Sequence, residues 1–303
     1  WCRWRIYQGR LLIWIAKYSF KNLYAALLTA LQSVVTILEK PLLNVKKEER
    51  IMDKAAIVTG ASGVLGGAIA RRLGALGYNV VVNYRGNQAN AEKTAADINR
   101  GPGKAVICKA DVRQFSEVQN MVKTALDKFG RLDVVVCNAG GSLGMITGQG
   151  KEKLLVDYEA DEWDLVIETN IKGTFNCIKA ATPIMIKQGG GHIAIVASGT
   201  GLRGGVKMTS YAAAKAGEIG LMKAAARELG EHNIKINALC PGRIVHGAVA
   251  AVIANYPQHD AYLQEAVLHR NGSAEEFGSF VGHLVQMENI SGQVINLDSR
   301  ILF

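Results

Sequence analysis

Residues 54–77 constrain this chain more than any other stretch. KAAIVT, Lys54 to Thr59, is a short apolar run with the length of a buried strand. GASGVLGGAIARRLGALG follows at once, a glycine turn that opens an amphipathic helix. A buried strand feeding straight into a helix needs cover on both faces, which begins a parallel α/β sheet. Gly60, Gly63 and Gly66 fall at every third position. Glycines there permit a tight turn and let a pyrophosphate approach the backbone, while the helix N-terminus offers N–H groups and a positive dipole. The glycine spacing alone is a weak signal; its place between strand and helix strengthens it.

The alternation continues. YNVVVNY is a second strand, followed by a helix from about Ala89 to Asn99. Then come strand KAVICKAD ending at Asp111, a helix from Ser116 to Gly130, and strand LDVVVCNAG. The pattern predicts an α/β fold, a doubly wound parallel sheet in a single domain over 52–303. The second strand ends at Asn83-Tyr84-Arg85 with no acid to bind a ribose 2′-hydroxyl. Arg85 offers a cation for a 2′-phosphate, which favours NADP(H) over NAD(H); the plainer alternative is a solvated loop arginine.

SGTGLRGGVKMTSYAAAK, Ser198 to Lys215, carries the candidate chemistry. The Ala-, Leu- and Glu-rich sequence after it predicts a long helix ending at Gly230, with Ser210 as its cap. Tyr211 and Lys215 then lie one turn apart on one face. A cation beside a phenol favours phenolate over the free value near ~10, which suits an acid or base near neutral pH. Ser198 follows the apolar run HIAIVA, at a strand end, where it could donate to a substrate oxygen. A Tyr-x-x-x-Lys pair in isolation is more often a solvated helix face.

Composition narrows the classes. The chain has 303 residues, 49% hydrophobic and 20% charged, enough for one large α/β domain and an extension. Five scattered cysteines without Cys-x-x-Cys imply reduced thiols in a cytoplasmic protein, with no disulfide frame, and the histidines have no metal-ligand spacing. The net charge is +9, but residues 1–50 alone hold nine Lys/Arg against three acids. Basic character belongs mainly to that extension, so nucleic-acid binding by the folded domain is not expected.

Residues 1–51 read differently. They are apolar, aromatic and basic, and their longest uncharged run, Asn22 to Leu38, is 17 residues, short of the roughly 20 a spanning helix needs. An interfacial helix with basic anchors is one reading. Another starts from the first methionine, Met52, where MDKAAIVTG begins a clean domain. Lys47-Glu48-Glu49-Arg50 can be encoded by purine-rich codons resembling a ribosome-binding site. The expectation is a native start at Met52, with membrane association only if residues 1–51 are native.

From Lys54 to Asp298 the chain resembles the short-chain dehydrogenase/reductase family, and among its branches the 3-oxoacyl-thioester reductases. TGASGVLG at 59–66, Asp111-Val112, Asn138-Ala139-Gly140, Asn170 in ETNIKGTF, Ser198, Tyr211-Ala-Ala-Ala-Lys215, Pro241-Gly242 and SGQVINLD carry the likeness, in order. The resemblance implies a Rossmann fold and a catalytic tetrad of Asn170, Ser198, Tyr211 and Lys215. For the cofactor it implies contacts from Gly60, Ser62, Gly63, Leu65, Gly66, Asn83, Arg85, Asp111, Val112, Asn138, Ala139, Gly140, Tyr211, Lys215, Pro241, Gly242 and Ile244. Tyr211 would protonate the developing alkoxide as hydride passes between nicotinamide and a carbonyl carbon. Lys215 would lower the Tyr211 pKa and hold the ribose, Ser198 would hold the carbonyl oxygen, and Asn170 would hold a water linking Lys215 to solvent.

There are departures. Val64 stands where the classical branch has glycine, His246 where threonine is common, and the last strand ends Asp298-Ser299-Arg300 rather than Asp-Gly-Gly. The segment between Asn138 and Asn170 is long and predicts a modified rim. Arg243 to Tyr262 falls where the family places a substrate lid. The implied substrate is a small carbonyl compound or an acyl thioester on acyl carrier protein or coenzyme A. Sugar, steroid and aliphatic alcohol dehydrogenases share the motifs, and a non-catalytic dinucleotide sensor could share the fold. The family's usual homotetramer would pair helices carrying Ala212, Ala216, Gly220 and Ala224, and Phe175, Ile178 and Ala181.

Overall fold

The structure, a computed structural model, describes residues 53–149, 152–245 and 258–301. Seven parallel strands form one sheet: β1 (Ala55–Val58), β2 (Asn79–Tyr84), β3 (Ala105–Lys109), β4 (Val134–Cys137), β5 (Gly191–Val196), β6 (Ile234–Pro241) and β7 (Val294–Leu297). Their spatial order is β3-β2-β1-β4-β5-β6-β7. The order reverses direction at β1, so the loops after β1 and β4 part there and leave a crevice at the carboxyl ends of the strands.

The strands read as unbroken apolar runs because both faces are covered. Ala56 and Val58 point into one core with Val80, Val82, Ile69, Leu73 and Phe277. Ile57, one residue out of phase, joins Val81, Val135, Ile193, Met121, Met185 and Met222 in the other. The first core is closed by α1 (Val64–Ala75), α2 (Gln88–Asn99) and α10 (Ala274–Leu284). The second is closed by α3 (Phe115–Phe129), α6 (Gly173–Gln188) and α8 (Thr209–Leu229). Between β4 and α6 lie α4 (Leu143–Thr147) and α5 (Ala160–Ile167), and α5 runs through a π turn, Glu168–Lys172, into α6. The short α7 (Thr200–Arg203) follows β5, and α9 (Gln258–Glu265) precedes α10.

Two local readings change. Helix α8 starts at Thr209 with Met208 at its N-cap, so Ser210 lies inside the first turn. Its hydroxyl is buried and donates to the Tyr158 hydroxyl at 3.0 Å, tying α8 to the rim segment instead of capping it. In α6, Ile178 and Ala181 face the chain's own sheet and are buried there, whereas Phe175 is exposed. The small residues Ala216, Gly220 and Ala224 of α8 are exposed in the single chain. Residues 1–52, His246 and most of the Arg243–Tyr262 stretch lie outside the described residues, as do Leu302 and Phe303.

Candidate active site

The turn after β1 is built from backbone. Gly60 adopts φ +63°, and a Cβ on Gly66 would lie 2.6 Å from both the Gly60 carbonyl and the Asn138 amide nitrogen. Helix α1 can therefore begin hard against the loop after β4 only with glycine there. Gly63 is the N-cap and has no side chain to close the first turn, which leaves helix N–H groups free to meet an anion. Thr59 locks the two loops together: its hydroxyl accepts from the Asn138 and Ala139 N–H groups at 2.8 and 2.9 Å. Asn83 has a bracing role. Its carboxamide oxygen accepts from Gly60 N–H at 3.0 Å, and its nitrogen donates to the Cys108 and Ala110 carbonyls.

Two adjoining hollows open over this turn. One, of about 390 Å³, is lined by Gly60, Ser62, Asn83, Arg85, Asp111, Val112, Ala139 and Gly140. The other, of about 420 Å³, is lined by Gly60, Gly63, Leu65, Gly66, Asn138, Ala139, Gly140, Tyr211, Lys215, Pro241, Gly242 and Ile244. Together they gather every cofactor-contact residue read from the sequence. A dinucleotide fits this set: a bare-backbone cradle at the shared centre, a basic residue at one end and the Tyr–Lys pair at the other. Sequence reasoning missed Met145, which lines both hollows. It comes from the long rim segment, and the Arg85 guanidinium donates to the neighbouring Ile146 carbonyl at 3.5 Å. Asp111 is clamped by the Arg113 guanidinium; burial pushes its carboxyl up, but the arginine outweighs that and holds it below the ordinary range.

The catalytic candidates converge on α8. A Cβ on Gly201 would meet the α8 backbone at Lys215 at 2.7 Å, so the Ser198 loop docks directly on the helix. A Cβ on Gly217 would lie 2.6 Å from Ile171, so the π turn carrying Asn170 docks two residues further along the helix. Ser198 and Asn170 stand beside the hollows rather than on their walls. The Ser198 hydroxyl oxygen accepts from Thr200 N–H at 3.1 Å, which leaves its own proton to donate elsewhere. Asn170 is fully buried: its oxygen accepts from Gly141 N–H at 3.1 Å, and its nitrogen donates to the Gly141 and Val166 carbonyls at 3.0 and 2.8 Å. It clamps the loop after β4, and its oxygen keeps one lone pair for a further donor.

Lys215 is buried with its Nζ 5.7 Å from the Tyr211 ring centre. Nζ donates to the Val196 carbonyl at 2.8 Å and to Glu218 Oε2 at 2.9 Å, leaving one of its three N–H bonds for the cleft. Glu218, which the sequence reading passed over, is itself buried and accepts from the Thr174 hydroxyl at 3.0 Å. Burial by itself drives the Lys215 ammonium toward its neutral form; the carboxylate of Glu218, with Tyr211, more than offsets this and holds the pKa above the ordinary lysine value.

The C-terminal departure has a structural meaning. The Arg300 guanidinium donates to Asp298 and lies 4.3 Å from the centre of the Tyr262 ring, with Arg243 at 4.8 Å. The Tyr262 hydroxyl accepts from Arg243 N–H at 2.6 Å and donates to Asp298 at 3.2 Å. This clasp fastens α9 to the chain between Gly242 and Ile244, which line the hollow that holds the Tyr–Lys pair. The Arg203–Glu265 pair at 2.8 Å fastens it to α7. Among the described residues there is no cluster of three or more metal-ligating side chains, and no helix long and apolar enough to cross a membrane.

With this geometry in place, the chain matches the short chain dehydrogenase family over residues 54–256. It is 39% identical over 249 residues to a 3-oxoacyl-(acyl-carrier-protein) reductase of Staphylococcus epidermidis, covering 82% of this chain and 98% of that one. To the 3-oxoacyl-(acyl-carrier-protein) reductase of Synechocystis it is 37% identical over 252 residues, covering 82% and 97%. Among solved structures it superposes with TM-score 0.74 and 28% identity on a 7α-hydroxysteroid dehydrogenase complexed with NADH and 7-oxo glycochenodeoxycholic acid, covering 82% of this chain and 96% of that one. The chain belongs to the short-chain dehydrogenase/reductase family and is a nicotinamide-dinucleotide-dependent oxidoreductase.

Proposed function

We propose that the protein reduces a 3-oxoacyl thioester, on acyl carrier protein or coenzyme A, with NADP(H). The near-full-length similarity to two 3-oxoacyl-(acyl-carrier-protein) reductases carries this reading. An apolar rim supports it: Leu155 and Val156 lead to Tyr158, which is bonded to the first turn of α8, and both are exposed together with Val206. Exposed apolar side chains tied to the start of α8, next to Tyr211, suit an acyl chain. Arg85 supports the NADP(H) preference, because it lines the outer hollow where the end of β2 supplies no acid.

When bound, the nicotinamide supplies the hydride to the carbonyl carbon. Tyr211 gives its phenolic proton to the carbonyl oxygen as negative charge develops there. Ser198 donates a hydrogen bond to the same oxygen and fixes its direction. Lys215 stabilises the phenolate left on Tyr211 and turns its remaining N–H to the cofactor ribose. Asn170 holds the loop after β4 and offers its free lone pair to a water on the path that returns a proton to Lys215.

The domain over 52–303 works in the cytoplasm as a homotetramer. The exposed row Ala216, Gly220 and Ala224, and an apolar groove of about 520 Å³ between α3 and α6, support the assembly. A second reading, oxidation of a steroid or aliphatic alcohol, is supported by the likeness to the hydroxysteroid enzyme. NADPH oxidation with acetoacetyl-coenzyme A, against a 7-oxo steroid and a keto sugar, tests both. A higher kcat/KM for the steroid would replace the first reading with the second. No NADPH oxidation with any carbonyl compound would point to a dinucleotide sensor.

A further inference from the structure

A buried glutamate beside a buried lysine is expensive, so its presence next to the catalytic candidates asks for a reason. The Lys215 and Glu218 side chains are 5% and 1% exposed and 2.9 Å apart. Glu218 is sealed from water, and Lys215 is open only to the cleft it lines. Thr174 on α6 takes the second carboxylate oxygen, and the Val196 carbonyl on β5 takes a second lysine N–H. Glu218 is therefore fixed at both oxygens, and it fixes the lysine in turn. Three residues apart on α8, the two share a helix face, and Lys215 lines the cleft whereas Glu218 does not.

We propose that Glu218 is a positioning residue for the reaction: its buried carboxylate is the counter-charge that keeps the Lys215 ammonium charged and aimed at Tyr211 and the cofactor ribose. The proposal rests on the oxidoreductase reading of this site but on no particular substrate. An ammonium in this setting, without a carboxylate, would shed its proton to escape desolvation. A neutral amine stabilises no phenolate. The pair thus titrates as a unit, and burial of the Glu218 carboxyl tightens the pair's hold on its protons further.

Of the other titratable groups facing the pair, the two thiols do not compete near neutral pH. Tyr211 lies on the same helix. From β6, the Cys240 thiol is pushed up to about 11 by burial. From β4, the Cys137 thiol is also raised, by its hydrogen bond to Cys177 on α6 and by burial. Both thiols stay neutral over the range in which an uncompensated lysine would lose its charge.

Glu218→Gln keeps the shape and removes the charge. The expected result is an alkaline limb of kcat, in the reduction direction, displaced to lower pH by roughly one unit or more, with an unchanged acid limb. A second readout needs neither substrate nor cofactor. Brief labelling with acetic anhydride at a series of pH values, followed by peptide mass spectrometry, reports when Lys215 becomes a neutral, reactive amine. In Glu218→Gln its labelling should begin at lower pH than in the parent, while that of the exposed Lys223 does not move. Thr174→Val, which keeps the carboxylate but loosens it, should shift both curves less and in the same sense. It serves as the test if Glu218→Gln does not fold. Curves that superimpose on the parent's overturn the proposal. A labelling shift in a protein that reduces no carbonyl compound would uphold the counter-charge and overturn the catalytic reading instead.

Discussion

A buried lysine from a neighbouring element lies beside each end of strand β5, and the two are treated differently. At its carboxyl end the Val196 carbonyl holds Lys215, whose partner Glu218 is 1% exposed. At its amino end His192 lies beside Lys235 of β6, whose partner Glu288 is 71% exposed. Both lysines are almost fully covered. Lys235 reaches a carboxylate that is itself in water, so the hydration of that end of the pair survives. Lys215 has no such exit. Breaking a pair that is buried on both sides costs about 3–5 kcal/mol, whereas an exposed pair is worth about 0–1 kcal/mol. A charge is held inside the protein only at the end where the cleft opens, which separates a lysine kept for chemistry from one kept for packing.

The largest effect that bears on this contrast is on turnover. Tyr211→Phe keeps the ring and removes the acid, and should lower kcat on the order of 10³-fold or more, while the affinity for NADPH by fluorescence titration stays near that of the parent. Ser198→Ala should cost on the order of 10²-fold, as for other lost oxyanion donors. Lys215→Met should be as damaging as Tyr211→Phe, and Lys235→Met should leave kcat unchanged. Equal losses in the two lysine variants would erase the distinction between the ends of β5.

The opposite end of the strand should dominate the pH dependence of stability. Burial, with Lys235 next to it, pulls the His192 pKa down to about 4. An unfolded histidine takes up its proton near 6.5. Between those values the unfolded chain binds more protons than the folded one, so stability falls as pH drops from about 6.5 to 4, by about 3 kcal/mol in all. His192→Gln should flatten that slope in urea denaturation. The carboxylates with lowered pKa, Asp111, Glu168, Glu288 and Asp298, lose their contribution mainly below this window. A slope that survives in His192→Gln would show that another group supplies it.

The contrast also marks what could be read beforehand. Strand–helix alternation and the glycine turn were legible because they depend on local pattern: KAAIVT is apolar without a break, and Gly60 to Gly66 leave no side chains to fill the cradle. Tyr211 and Lys215 were legible because four residues of helix bring them to one face. Glu218 lies three residues beyond Lys215 and was equally near, yet an acid so placed reads as solvated. Only the packing of α6 and β5 against α8 shows that it is sealed. The resemblance implied Asn83 as a cofactor contact, but its bonds to Gly60 after β1 and to Cys108 and Ala110 at the end of β3 join segments that the sequence alone does not bring together. The inward turn of Ile178 and Ala181 follows from the sheet beneath α6, since a stripe of small residues does not say which side is covered.

The smallest effect is the sharpest check. Glu288→Gln removes the carboxylate that meets Lys235 at 2.5 Å. If the exposed end of that pair keeps its hydration, water replaces the lost partner, as at most surface pairs. The loss of stability at pH 7, from urea denaturation, should then be no more than about 1 kcal/mol, and kcat should not change. The histidine next to it responds in a defined direction: Glu288 opposes the fall in the His192 pKa, so its removal should steepen the acid slope slightly. A stability loss as large as that of Glu218→Gln would mean that Lys235 depends on its partner as Lys215 does. The exposure of Glu288 would then be no guide to how the charge at that end of β5 is held.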